Sequence, residues 1–156
     1  VRRWPLVLLL LLARIASAEG DLVEVDSISF RALSEAADPL VFWTPGQSER
    51  LLVRARLRGP DEASTSRVAL AVEWALLPAG APLREASILW SDSEELRSFD
   101  VALDAGASGE LFATIPIARR AREWQEAGLD VVACRVRVRA GGETASATLD
   151  VIPAGR

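Results

Sequence analysis

Residues 128–143 read GLDVVACRVRVRAGGE, and residues 144–153 continue TASATLDVIP. Val132, Cys134, Val136 and Val138 fall on one side of this stretch, and Arg135, Arg137 and Arg139 fall on the other. A period of two is the signature of a half-buried strand. Gly141 and Gly142 follow at once, and both can take positive φ, so a two-residue hairpin turn is expected. Counting outward from it pairs Arg139 with Thr144, Arg137 with Ser146, Arg135 with Thr148 and Cys134 with Leu149. Both faces agree with that register, which predicts a central antiparallel hairpin with one apolar and one cationic face.

The rest of the chain keeps this rhythm. Val23 and Val25 set one phase and Ile28 and Phe30 the other, so the first strand is expected to carry a bulge or change sheets. A brief edge strand is expected in LVFW (40–43), with Trp43 exposed. RLLVRARLR (50–58) points Leu51, Val53, Ala55 and Leu57 inward and Arg50, Arg54, Arg56 and Arg58 outward. Residues 67–77 place Val68, Leu70, Val72, Trp74 and Leu76 on one face, opposite Ala69, Ala71, Glu73 and Ala75. Residues 85–90 suggest a short strand. Residues 96–103 suggest another, with Phe99, Val101 and Leu103 inward and Leu96 outward, joined by a DAGASG hairpin (104–109) to a strand over 110–117. Helical patterning is confined to ARRAREWQEA (118–127), the one helical segment, stopped by Gly128. About eight strands at intervals of roughly a dozen residues describe an all-β, two-sheet antiparallel sandwich.

Residues 1–18 have the three parts of a secretory signal peptide: Arg2 and Arg3, the apolar run Leu6 to Leu12, and the small-x-small site Ala16-Ser17-Ala18. The run is shorter than the roughly 20 apolar residues of a spanning helix. The expectation is therefore an exported protein, periplasmic or extracellular, with no stable membrane span after cleavage and one domain over 19–156. Three of the 18 basic residues and none of the 22 acids fall in 1–18, leaving 15 against 22 and a net charge of −7. That balance argues against a nucleic-acid partner, which needs a basic footprint. Every basic residue is Arg; Lys, Asn, Tyr, His and Met are absent, a usage that points to a GC-rich bacterial genome. Cys134 is the only cysteine, so no intrachain disulfide forms, and its place on the Val face makes it a packing residue.

Trp74 on an inner strand face, Cys134 some sixty residues later on a penultimate strand, a helical turn before that strand and Asp130 four residues before Cys134 together carry a family resemblance. The chain resembles the immunoglobulin-like and fibronectin type III-like β-sandwiches of bacterial envelope proteins. Val132 stands where that family has its corner tyrosine, and Val53 or Ala55 where the disulfide-bonded members have a second cysteine. The resemblance implies an immunoglobulin-like sandwich without the disulfide.

Catalysis is not expected. There is no His for proton transfer or metal ligation and no second thiol. Asp92, Glu94 and Glu95 match no calcium loop and are read as a solvated turn, so neither metal nor cofactor is called for. Two surface features remain. The Arg ladders, Arg135, Arg137 and Arg139 on one strand and Arg54 and Arg56 on another, are candidates for a protein or acidic-glycan partner of the envelope, with pairing to acids such as Glu73 as the competing role. Trp43, Trp90 and Trp124, in or near loops, are candidates for stacking on sugars. The expectation is an exported non-catalytic interaction or structural module, with a carbohydrate-binding module as the alternative.

Overall fold

In a computed structural model, residues 23–33 and 38–154 are described; residues 1–18, expected to be a signal peptide, lie outside them. Nine strands and one helix follow in order: β1 (Glu24–Ala32), β2 (Phe42–Trp43), β3 (Leu51–Arg58), β4 (Ser64–Pro78), β5 (Leu89–Trp90), β6 (Glu94–Leu103), β7 (Ser108–Ile115), α1 (Ile117–Glu126), β8 (Leu129–Ala140) and β9 (Glu143–Val151). The protein is all-β, with two sheets. One sheet is ordered β1-β3-β7 and the other β2-β9-β8-β4, with β5 and β6 sharing the far edge of the 15-residue β4.

The hairpin of β8 and β9 has the register obtained by counting from the turn: Arg139 faces Thr144, Arg137 Ser146, Arg135 Thr148 and Cys134 Leu149. Gly141 supplies the positive φ, 59°. β4 lies on the other side of β8, pairing Trp74 with Cys134 and Glu73 with Arg135. Both sheets feed one core. Leu51, Val53, Ala55 and Leu57 enter it from β3, Val68, Leu70, Val72 and Trp74 from β4, and Cys134, Val136 and Val138 from β8. The phase change in β1 is a bulge between Val25 and Ser27, which lets Val25 and Ile28 both reach the core.

Three local expectations are corrected. Glu85–Ser87 is a single 3-10 turn, and the strand after it is only Leu89–Trp90. Leu96 packs against the core together with Phe99, because a bulge in the pairing with β4 inserts it between Glu95, opposite Ala71, and Arg97, opposite Leu70. Finally, the turn after Leu103 does not close a hairpin. β6 pairs with β4 and β7 with β3, so the turn carries the chain from one sheet to the other. It is held at the end of β3, where Gly59 N–H donates to Ala107 O (2.7 Å) and Gly106 N–H to Pro60 O (2.9 Å).

α1 follows Pro116, buries Ile117 and Ala118, and ends before Gly128, which adopts φ 81°. No helix among the described residues is long and apolar enough to cross a membrane.

Candidate functional site

The outer face of the larger sheet is apolar at one end. Strict alternation fails there twice, in Trp74-Ala-Leu-Leu77 and in Val131-Val-Ala-Cys134. These two runs pair with each other, and the pairing steps from Ala75 opposite Ala133 to Leu76 opposite Val131, leaving Val132 as the extra residue. The bulge corrects the expected face of Val132: Val131 and Cys134 go to the core, while Val132 and Ala133 join Ala75 and Leu77 in a second buried cluster under Ile88. Small side chains thus form a floor where a sheet surface would ordinarily be polar.

Walls rise on both sides of this floor. On one side stands the segment from the end of β4 through β5, which contributes Leu83, Glu85, Ile88 and Trp90. It is fixed to the sheet at both ends. Gly80 N–H donates to the Asp130 carboxylate (3.3 Å), and Ser91 bridges the backbone of Trp74, its Oγ accepting from Trp74 N–H (2.9 Å) and its N–H donating to Trp74 O (2.8 Å). On the other side are Phe42, Ile152 and Pro153, held where β2 runs parallel to β9 and Ile152 N–H donates to Trp43 O (2.9 Å). Thr148 and Asp150 of β9 complete that wall. The result is an open groove of about 900 Å³. Phe42, Leu83, Trp90 and Ile152 stand exposed along it. Pockets of this size with mainly apolar lining and a few polar groups are the usual form of a binding site.

Trp90 is the hinge between groove and charge. The residue is 41 % exposed, and its ring carries the Arg135 guanidinium 4.0 Å from its centroid. Arg135 donates to Glu73 through Nε (2.8 Å) and Nη2 (2.5 Å), and Arg137 Nε lies 3.2 Å from the other Glu73 oxygen. One buried carboxylate therefore holds two cations in place and orients one over an aromatic face. The competing reading of the ladder, pairing with Glu73, applies to Arg135 and Arg137. Arg139 lies farther along, lining a shallow hollow with Ala69, Ala71, Glu95 and Thr144.

The other candidates do not join this site. Arg54 and Arg56 sit on the smaller sheet's outward face, both paired with Glu110. The Arg54 hydrogen bond holds the Glu110 carboxyl below its ordinary range. Trp43 is not exposed. It is 1 % accessible, with Nε1–H donating to Ser48 O (3.2 Å) and approaching Ser48 Oγ (3.3 Å). Trp124 packs from α1 against the core. Of the three indoles, Trp90 alone opens onto the groove. Glu94, expected in a solvated turn, begins β6 and pairs with Arg120. Among the described residues no three His, Cys, Asp or Glu side chains converge as metal ligands. Burial pushes the Cys134 thiol up to about 12, which keeps it protonated and a poor nucleophile.

No family model matches the sequence, and no curated protein does. Solved structures superpose on it with part of a larger chain. A β-glucosidase from intestinal bacteria involved in saponin metabolism superposes with a TM-score of 0.51 at 16% identity, over 85% of this chain and 16% of its own. A β-D-glucoside glucohydrolase from Trichoderma reesei gives 0.48 at 14% identity, over 85% and 19%. An alkylpurine DNA glycosylase from Pseudomonas fluorescens gives 0.43 at 15%, over 88% and 32%. The chain thus spans less than a third of each of these proteins.

Proposed function

We propose that the protein is an exported, non-catalytic interaction module of the bacterial cell envelope, built as an immunoglobulin-like, fibronectin type III-like sandwich and binding a protein partner through the outer face of its larger sheet. The observation that carries this reading is the groove: a small-residue floor, exposed apolar walls, and Trp90 fixed beneath Arg135. Binding energy concentrates where aromatic and Arg side chains meet a pocket that a partner can fill. The sandwich reading is supported by the strand order, β1-β3-β7 against β9-β8-β4-β6, and by Trp74 and Cys134 side by side in the core. Export is supported by the arrangement of residues 1–18. The non-catalytic reading is supported by the raised thiol pKa and by Glu73, whose oxygens are occupied by two guanidinium groups.

The test is site-specific photocrosslinking in the native envelope. A benzophenone side chain at Leu83, on the groove wall, is expected to give a discrete protein adduct, while the same group at Arg56, on the other sheet, gives none. Equal adducts from both positions, or none from Leu83, would overturn the reading. Carbohydrate binding is the second reading, favoured by the open Trp90 ring. It requires an envelope glycan to change Trp90 fluorescence and to compete with the adduct at Leu83.

A further inference from the structure

We propose that the segment seated in the groove is a short apolar peptide stretch of the partner protein carrying an Arg or Lys, an inference that rests on the interaction-module reading. Charge complementarity carries it. The groove is lined by two acids and no basic side chain, with Glu85 on one wall and Asp150 on the other, while the rest of the lining is Thr148 and apolar side chains. Neither carboxylate pairs with another described residue. Arg84, the chain neighbour of Glu85, is exposed and is not part of the lining, and Arg135 and Arg137, beyond Trp90, are both committed to Glu73.

An apolar stretch fills the space between Leu83 and Ile152 and covers the Ala75 and Ala133 floor, and a cation within it meets carboxylates from both sides. An acidic stretch would set like charges together in a partly desolvated groove, which costs affinity and excludes wrong partners. The proposal departs from the acidic-partner expectation raised by the Arg ladder, for this end of the face. The ladder's first member serves as a backing for Trp90, with its guanidinium on the ring.

The experiment uses the full chain and three synthetic peptides of one sequence, acetyl-Leu-Ile-X-Leu-Val-amide, with X as Arg, Gln or Glu, each read by fluorescence anisotropy of a terminal dye. The Arg peptide is expected to bind about tenfold or more tighter than the Glu peptide, with the Gln peptide between them and the difference shrinking as salt rises. The double variant Glu85→Gln, Asp150→Asn, which keeps both shapes, is expected to bring the three affinities within about twofold. Equal binding of the Arg and Glu peptides, a preference for Glu, or no binding of any peptide would overturn the inference. A Leu83 adduct whose linked segment is acidic would sink this inference and leave the interaction module standing. Loss of the adduct itself removes both.

Discussion

Cys134 shows how a single environment decides whether a residue is chemistry or packing. It sits opposite Leu149 and beside Trp74 in the core. Native protein should resist a thiol reagent at pH 8 and react within minutes in urea; rapid native labelling would contradict the burial. Linkage adds a second test. A thiol whose folded pKa is raised stabilises the fold fully below its unfolded value, and that contribution is lost as pH rises from about 9 to about 12. The chain has no Lys and no Tyr, so few other groups titrate in this window. Urea midpoints should therefore fall between pH 8 and pH 11 in the native sequence and stay nearly level in Cys134→Ala. Trp74, 2 % exposed, is the larger packing residue at the same level of the core. Replacing it by Ala should cost about 3–5 kcal/mol in urea unfolding, whereas a loss below about 1 kcal/mol would mean the indole is not a core residue.

At the level of elements, what was legible depended on whether a local signal had a single structural outcome. The β8–β9 register could be counted because a tight turn and two unlike faces admit one solution. The bulge in β1 was legible for the same reason, as a phase slip between Val25 and Ile28. The turn after Leu103 was not, because a turn signal looks alike whether the next strand joins the same sheet or crosses to the other. Trp43 was misread since its burial depends on β2 pairing parallel with the distant β9 and on Ser48 accepting from the indole. The groove did leave a trace in the sequence. WALL and VVAC are apolar on both faces, and such runs mark strand ends covered on both sides or floors of a site. The crossing turn also yields a prediction. A Cβ on Gly59 would stand 2.7 Å from the backbone oxygen of Asp104. Gly59→Ala should destabilise the protein by more than about 1 kcal/mol, measured by chemical unfolding; a neutral result would show that the turn yields freely.

Across the whole molecule, the same kind of residue has opposite meaning on the two sides of a sheet. Ala55 in β3 and Ala133 in β8 are both small and little exposed. Ala55 lies in the core shared by the two sheets, where added volume has no space and a Phe forces displacement costing about 1–3 kcal/mol or more. Ala133 lies under the open groove, between walls whose apolar side chains are already in water. A Phe there extends into solvent-filled space and covers part of Trp90, Phe42 and Ile152, so Ala133→Phe should leave stability within about 1 kcal/mol of the native value or raise it. It should also abolish the adduct formed from Leu83 by occupying the seat of the partner. The two variants separate folding from function: Ala55→Phe lowers the urea midpoint, and Ala133→Phe removes capture without lowering it. If Ala133→Phe unfolds the protein, the space over the floor is part of the closed core. If it folds and still gives the Leu83 adduct, the partner binds outside the groove.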